Sequence, residues 1–205
     1  MNKFNISFIT LLLFILSQFF KSLYRIDLHL LEYINHERIK PLDSFLIFIT
    51  NTSYYIAFAI PTILLIYAFI KNRGKLKRQC YLLLSSLIIN SLIIYIIKRV
   101  VNRQRPFEVD SFIEKLTSAG SPSFPSGHTG DVFLIATALT LLFSKQRWWL
   151  LVVWIWAFIV AYSRLALGVH YPSDVVASMI ISSSIAIGVN SFFRSRNFLN
   201  VDAIS

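Results

Sequence analysis

Three short polar stretches carry the residue types that chemistry on a phosphate group needs. They are Lys98 with Arg105-Pro106, Pro125-Ser126-Gly127-His128, and Ser163-Arg164 with His170 and Asp174. His170 and Asp174 are four residues apart, close enough for a carboxylate–imidazole hydrogen bond. Such a bond fixes the imidazole tautomer and leaves the other ring nitrogen free to attack an electrophile. Gly127 allows close backbone approach, and the helix that follows would aim its free N–H groups outward as an anion site. Ser126 can add a hydroxyl donor, and His128 can give a proton to a leaving oxygen. Lys98 offers a point charge, and Arg105 and Arg164 offer bidentate contact to phosphate.

Each stretch also has a plainer reading. Asp174 could merely complement a helix dipole. Ser126 or Thr129 could simply cap a helix, and Lys98 could be a helix-end cation reaching to headgroups, as Arg99 and Arg103 are read to do. Arg105 precedes Pro106, which favours extended backbone there. The helix carrying Lys98 should therefore end before Arg105, letting that side chain turn back toward Lys98.

The elements that must position these residues are membrane helices. The 205-residue chain is 56% hydrophobic with a mean hydropathy of +0.63, too apolar for a soluble domain of this size. Six runs qualify as spans: Phe4–Phe20, Ser44–Ile70, Cys80–Ile97, Thr129–Ser144, Trp148–Leu167 and Val175–Phe193. Pro61 lies inside the second, where membrane helices tolerate it. Bulky Phe19 and Phe20 and then Lys21 follow the first run, with no small-residue cleavage site, so it reads as a retained helix. The fold expected is all-α: a single domain over residues 1–205, a six-helix bundle with its polar motifs between about 98 and 174.

The net charge of +10 would suggest nucleic acid in a soluble protein, but its placement explains it here. With the N-terminus inside, the inner segments hold ten cations against the single acid Asp202. The outer side holds the other ten cations and nine acids, counting Asp131. This is the positive-inside pattern of a plasma (inner) membrane protein with both termini cytoplasmic, and it puts all three motifs on the outer side. No nucleic-acid partner is implied.

Between the first two spans, Leu23, Ile26, Leu30, Ile34 and Leu31 recur at helical spacing among Arg25, Asp27, Glu32, Glu37 and Arg38. This predicts an amphipathic helix lying at the interface, as a brace or as a platform for a lipid substrate. His29 and His36 lack a third ligand of suitable type, so no metal site is assigned. The basic loop Lys71–Gln79 reads as a topology determinant, with anionic-lipid contact as the alternative. Trp148 and Trp149 read as interfacial anchors. The lone Cys80 cannot form an internal disulfide.

Taken jointly, the three stretches resemble the type 2 phosphatidic acid phosphatase superfamily, which also includes vanadium haloperoxidases. The family pattern is K-x6-RP, PSGH and SR-x5-H-x3-D. This chain matches every position, from Lys98 through Arg105-Pro106 and residues 125–128 to Ser163-Arg164, His170 and Asp174. The resemblance implies that His170 attacks phosphorus to form a phosphohistidine and that Asp174 orients it. It implies that His128 protonates the leaving oxygen and then activates water. Lys98, Arg105, Ser126, Gly127 and Arg164 would hold the phosphate oxygens, with no metal or other cofactor. The implied partners are the bilayer and a membrane lipid phosphate substrate: undecaprenyl diphosphate, phosphatidylglycerol phosphate, phosphatidic acid or a lipid A phosphate. Residues 107–123, with Glu108, Asp110, Glu114 and Lys115, are the candidate selectivity loop. A haloperoxidase and a non-catalytic transporter or scaffold are the alternatives; apolar spans oppose the first, and intact His128, His170 and Asp174 oppose the second.

Overall fold

The computed structural model describes residues 18, 22–143 and 148–195. The expected first span, Phe4–Phe20, lies outside the described residues apart from residue 18. So do the inner cations Lys3, Lys145, Arg147 and Arg196, and the acid Asp202.

The described residues are helical, with no strand among them. Helix α1 covers residues 22–36. A 3-10 turn at Lys40–Leu42 leads into α2 (Asp43–Ile70), followed by α3 (Gly74–Val101) and the short α4 (Pro106–Val109). Then come α5 (Gly127–Leu142), α6 (Trp148–Ala166) and α7 (Pro172–Ser195). Four of the described helical segments are long and apolar enough to cross a membrane, and α5 is shorter. Helices α3 and α7 run past their apolar runs at both ends, because polar residues continue them. In particular, α3 begins at Gly74, so most of the supposed loop Lys71–Gln79 is the first turns of a helix. Pro172 opens α7, as a proline fixed near helical φ can.

Helix α5 sits at the centre, packed against α2, α3, α6 and α7, and it is buried continuously from Thr129 to Leu139. The helices around it turn small and polar residues inward. On α7, Asp174, Ser178, Ser182, Ala186 and Asn190 recur every fourth residue on the buried face. On α2 the buried set includes Thr50, Ser53, Ala57 and Pro61. Small interior residues allow close helix approach where lipid removes the usual hydrophobic drive. A Cβ on Gly130 would stand 2.7 Å from Ser182 Oγ, which is why α5 carries glycine against α7. The outward faces are apolar: Phe48, Tyr55, Ile63, Ile70, Ile88 and Val100 are all exposed. Apolar outer faces of this kind suit a hydrocarbon surround.

Helix α1 is the predicted amphipathic segment, but its polar side carries the tertiary contacts. Leu23, Ile26 and Leu30 are exposed, while Asp27, Leu31 and Asn35 form a buried stripe at four-residue spacing, continued by Arg38. Leu31 packs with Ile113 and Tyr171. Asn35 Nδ2 donates to Ala166 O at 2.8 Å and to Glu114 O at 3.2 Å, and its Oδ1 accepts from Glu114 N–H at 2.9 Å. The helix thus braces both the end of α6 and the 107–123 segment.

Candidate active site

Lys98 lies in the last turn of α3, which ends at Asn102 in the left-handed conformation. The chain then runs extended to Arg105, the N-cap of α4 (φ −79°, ψ 153°), as a residue before proline should. The reversal turns Arg105 back toward the bundle. Its Nε donates to Ser121 O and its Nη1 to Val169 O, both at 2.7 Å, and Nη1 lies 3.4 Å from His170 Nε2. Lys98 Nζ donates to Pro122 O at 2.6 Å. The two cations therefore fasten residues 121–123 to the loop that carries His170.

That loop is shaped by Gly168. Helix α6 ends at Ala166, and Gly168 at φ +71° reverses the chain so that the N–H groups of Val169 and His170 bond back to Arg164 O. A Cβ at Gly168 would come within 2.3 Å of Glu114 O, so only glycine fits both the turn and the contact. Arg164 is nearly fully buried on α6. Its Nη1 donates to Thr50 Oγ1 at 2.7 Å, whereas its Nε has no acceptor among the described residues. A buried cationic donor left open is costly unless an anion occupies the cavity.

His170 Nδ1 faces Asp174 Oδ2 at 3.4 Å. With Asp174 accepting the Nδ1 proton, the lone pair sits on Nε2, on the cavity side. Burial pushes the imidazole down to about 3; Arg164 and Arg105 push the same way, against the opposing effect of Asp174. His170 is therefore a neutral base at physiological pH. Asp174 is itself held by several donors. Ser123 Oγ donates to Oδ2 at 2.5 Å, Tyr171 N–H to Oδ2 at 3.0 Å, and Arg103 Nη1 to Oδ1 at 2.7 Å.

A cavity of about 430 Å³ unites these groups. Lys98, Arg105, Gly127, His128, Arg164 and His170 all line it, with Tyr54, Tyr95 and Asp131 on its walls. Gly127 opens α5, and a Cβ there would meet nothing within 4 Å, so its backbone faces open space. Asp131 is anchored by Asn90 Nδ2 at 3.0 Å, and Asn90 Oδ1 accepts from Ser182 at 2.7 Å. The arrangement places a carboxylate-backed neutral imidazole, a second imidazole and three cations around a space large enough to admit a phosphate group.

Three groups singled out in the sequence have partners of their own in this geometry. Ser126 is the N-cap of α5, but its buried hydroxyl pairs with Thr129 Oγ1 at 3.0 Å and does not line the cavity. Arg103 is no headgroup cation: besides Asp174 it holds Asp27, with Nη2 donating to Oδ2 at 2.7 Å, and it lies 3.7 Å from the Tyr171 ring centroid. The acids of the 107–123 segment turn away from the cavity. Glu108 accepts from Arg105 N–H and Asp110 from Phe112 N–H. Glu114 pairs with Arg38, which holds its carboxyl below the usual range. The cavity wall from this segment is the uncharged run Ser118-Ala119-Gly120-Ser121. Ser163, beside Arg164, donates to Val160 O at 2.6 Å within α6 and serves the helix. Ser123, Arg103 and Asp27 are the contributors that sequence reasoning passed over. The αL-favouring Asn102, which re-aims Arg103, was the available signal.

Comparison with known proteins agrees with the geometry. The sequence model of the PAP2 superfamily matches residues 79–198. The lipid A 4'-phosphatase of Bacteroides thetaiotaomicron is 33% identical over 126 residues, 57% of this chain and 56% of that protein. The undecaprenyl-diphosphatase BcrC of Bacillus subtilis is 33% identical over 158 residues, 77% of each chain. The chain thus spans little more than half of the first relative and about three quarters of the second. The crystal structure of a transmembrane PAP2-type phosphatidylglycerolphosphate phosphatase from Bacillus subtilis superposes with a TM-score of 0.73. It covers 96% of this chain and 98% of that one at 21% identity, a likeness of fold.

Proposed function

The chain belongs to the PAP2 superfamily and is a multi-pass membrane protein, and from that premise we propose that it hydrolyses a lipid phosphate or diphosphate through a phosphohistidine at His170. The observation that carries this reading is the convergence of Lys98, Arg105, Gly127, His128, Arg164 and His170 on one cavity.

In the first step the His170 Nε2 lone pair attacks phosphorus and the bond from phosphorus to the leaving oxygen breaks. His128 gives that oxygen a proton, releasing a lipid alcohol from a monophosphate or a lipid monophosphate from a diphosphate. In the second step His128 takes a proton from water as the water oxygen attacks phosphorus. The phosphorus–nitrogen bond breaks, inorganic phosphate leaves, and neutral His170 is restored. Lys98, Arg105, Arg164 and the Gly127 N–H stabilise the charge that develops on the phosphoryl oxygens. Asp174, behind His170, holds the Nδ1 proton and stabilises the positive charge the ring acquires. With three cations supplying the charge, the reaction proceeds without a metal.

The positive-inside count supports an active site on the outer face of a bacterial-type plasma membrane, with both termini cytoplasmic. The apolar outer faces of the helices leave the lipid tail of the substrate in the bilayer while its phosphate enters the cavity. The candidates are undecaprenyl diphosphate, phosphatidylglycerol phosphate, phosphatidic acid and the phosphates of lipid A. The undecaprenyl-diphosphatase likeness extends over the larger share of both chains, which ranks the polyprenyl diphosphate first. The test is a panel of these four purified lipids, ranked by kcat/KM in detergent. The highest value for the polyprenyl diphosphate supports the ranking, and equal inactivity on all four refutes the function.

A further inference from the structure

We infer that α1 is a splint for the catalytic loop, with Asp27 acting as a positioning residue that aims Asp174 through Arg103. The inference rests on the reading of His170 and Asp174 above and adds to it a part outside residues 79–198, where the family match lies.

The loop from Ala166 to Asp174 carries His170 and is fastened to α1 at both ends. At its start Ala166 O accepts from Asn35 Nδ2. At its end Asp27 Oδ1 accepts from Ser173 N–H at 2.8 Å, and Asp27 Oδ2 accepts from Ser173 Oγ at 2.5 Å. Asp27 and Asn35 are eight residues apart on one face of α1, with buried Leu31 between them against Tyr171. The splint therefore spans about two helical turns, roughly 12 Å.

The chain of contacts decides how Asp174 is oriented. A carboxylate has two oxygens, and His170 needs one of them fixed. Arg103 Nη1 takes Oδ1 and also bonds Ser173 Oγ at 2.7 Å. Oδ2 is thereby turned to Ser123, Tyr171 N–H and His170. Arg103 could pivot about its long side chain, but Nη2 is pinned by Asp27 and its guanidinium plane is close to the Tyr171 ring. Asp27 sits 8% exposed, so this second ion pair is shielded from solvent. Replacing Asp27 by asparagine leaves one acceptor oxygen for two partners, so an amide donor faces either Arg103 Nη2 or Ser173, and Asp174 loses the orientation that serves His170. A misplacement of about 1 Å in such a group costs about a hundredfold in rate.

The test uses the full chain in detergent with a short-chain phosphatidic acid as probe. Asp27→Asn keeps size and removes charge. It should lower kcat about tenfold to a hundredfold while KM stays within about twofold. Arg103→Gln should fall by a similar factor, Arg103→Lys should recover part of it, and the double variant should be little worse than either single change. Asp27→Glu should lie between wild type and Asp27→Asn, which separates positioning from simple failure to fold. Wild-type kcat in Asp27→Asn, or additive losses in the double variant, would overturn the inference. If His170→Ala is inactive while Asp27→Asn is fully active, only this inference fails. If His170→Ala is active, the nucleophile assignment fails first.

Discussion

Arg105→Lys tests the geometry of the phosphate cradle while holding its charge constant. Arg105 is 5% exposed and divides its donors between Ser121 O and Val169 O. A lysine ammonium at the end of a flexible stem cannot reproduce both bonds from one planar fork. Losing one charged hydrogen bond to a buried carbonyl costs about 1.5–3 kcal/mol of stability. The larger effect should fall on catalysis, since the same fork lies 3.4 Å from His170 Nε2 and, in the proposed function, contacts the phosphoryl oxygens. Removing one such preorganised donor lowers kcat by about 10²–10³, roughly 2.7–4 kcal/mol of transition-state stabilisation. The assay is phosphate release from short-chain phosphatidic acid, with kcat and KM separated and the folded fraction measured by gel filtration. Folded protein with kcat within about threefold of wild type would show that charge alone suffices and that the fork geometry is immaterial.

Other consequences follow from single features of the site. Gly168→Ala puts a Cβ 2.3 Å from Glu114 O at φ +71°, so it should lower the thermal midpoint and folded yield by the equivalent of about 2–5 kcal/mol; a wild-type midpoint would contradict this. Burial lowers His170 from 6.5 to about 3, so between those values the folded chain binds fewer protons than the unfolded one. Lowering the pH through that window should therefore favour unfolding, and His170→Gln should flatten the dependence of the thermal midpoint on pH. An unchanged slope in that variant would be inconsistent with a buried neutral imidazole. Chelation by EDTA should leave phosphate release unchanged; loss of activity restored by a divalent cation would overturn the metal-free mechanism.

The spacing of Lys98, Arg105, His128, Arg164, His170 and Asp174 was legible in the sequence because each patch is a local motif flanked by apolar runs. The four described helices long and apolar enough to cross a membrane were legible for the same reason, since an apolar run of sufficient length has few alternatives. Arg103 was not legible, because its direction depends on the left-handed turn at Asn102 rather than on its type. Asp27 looked like part of the polar side of an amphipathic helix, and Asn35 was not singled out. In fact their stripe is tied to the protein while Leu23, Ile26 and Leu30 are exposed. The polar stripe of α1 finds its partners in the loop that carries His170. The acids of residues 107–123 suggested headgroup selectivity. Their actual partners, Arg38 and backbone N–H groups, come from chain segments whose approach only the tertiary fold determines.

The central claim is that His170 carries the phosphoryl group. Rapid alkaline quenching of the purified chain with radiolabelled lipid phosphate, followed by peptide mapping, tests it most directly. Label is expected on His170, stable in alkali and lost in acid, with none in His170→Ala. Label on another residue, or steady turnover with no labelled protein on the millisecond scale when chemistry is rate-limiting in the breakdown step, would contradict it.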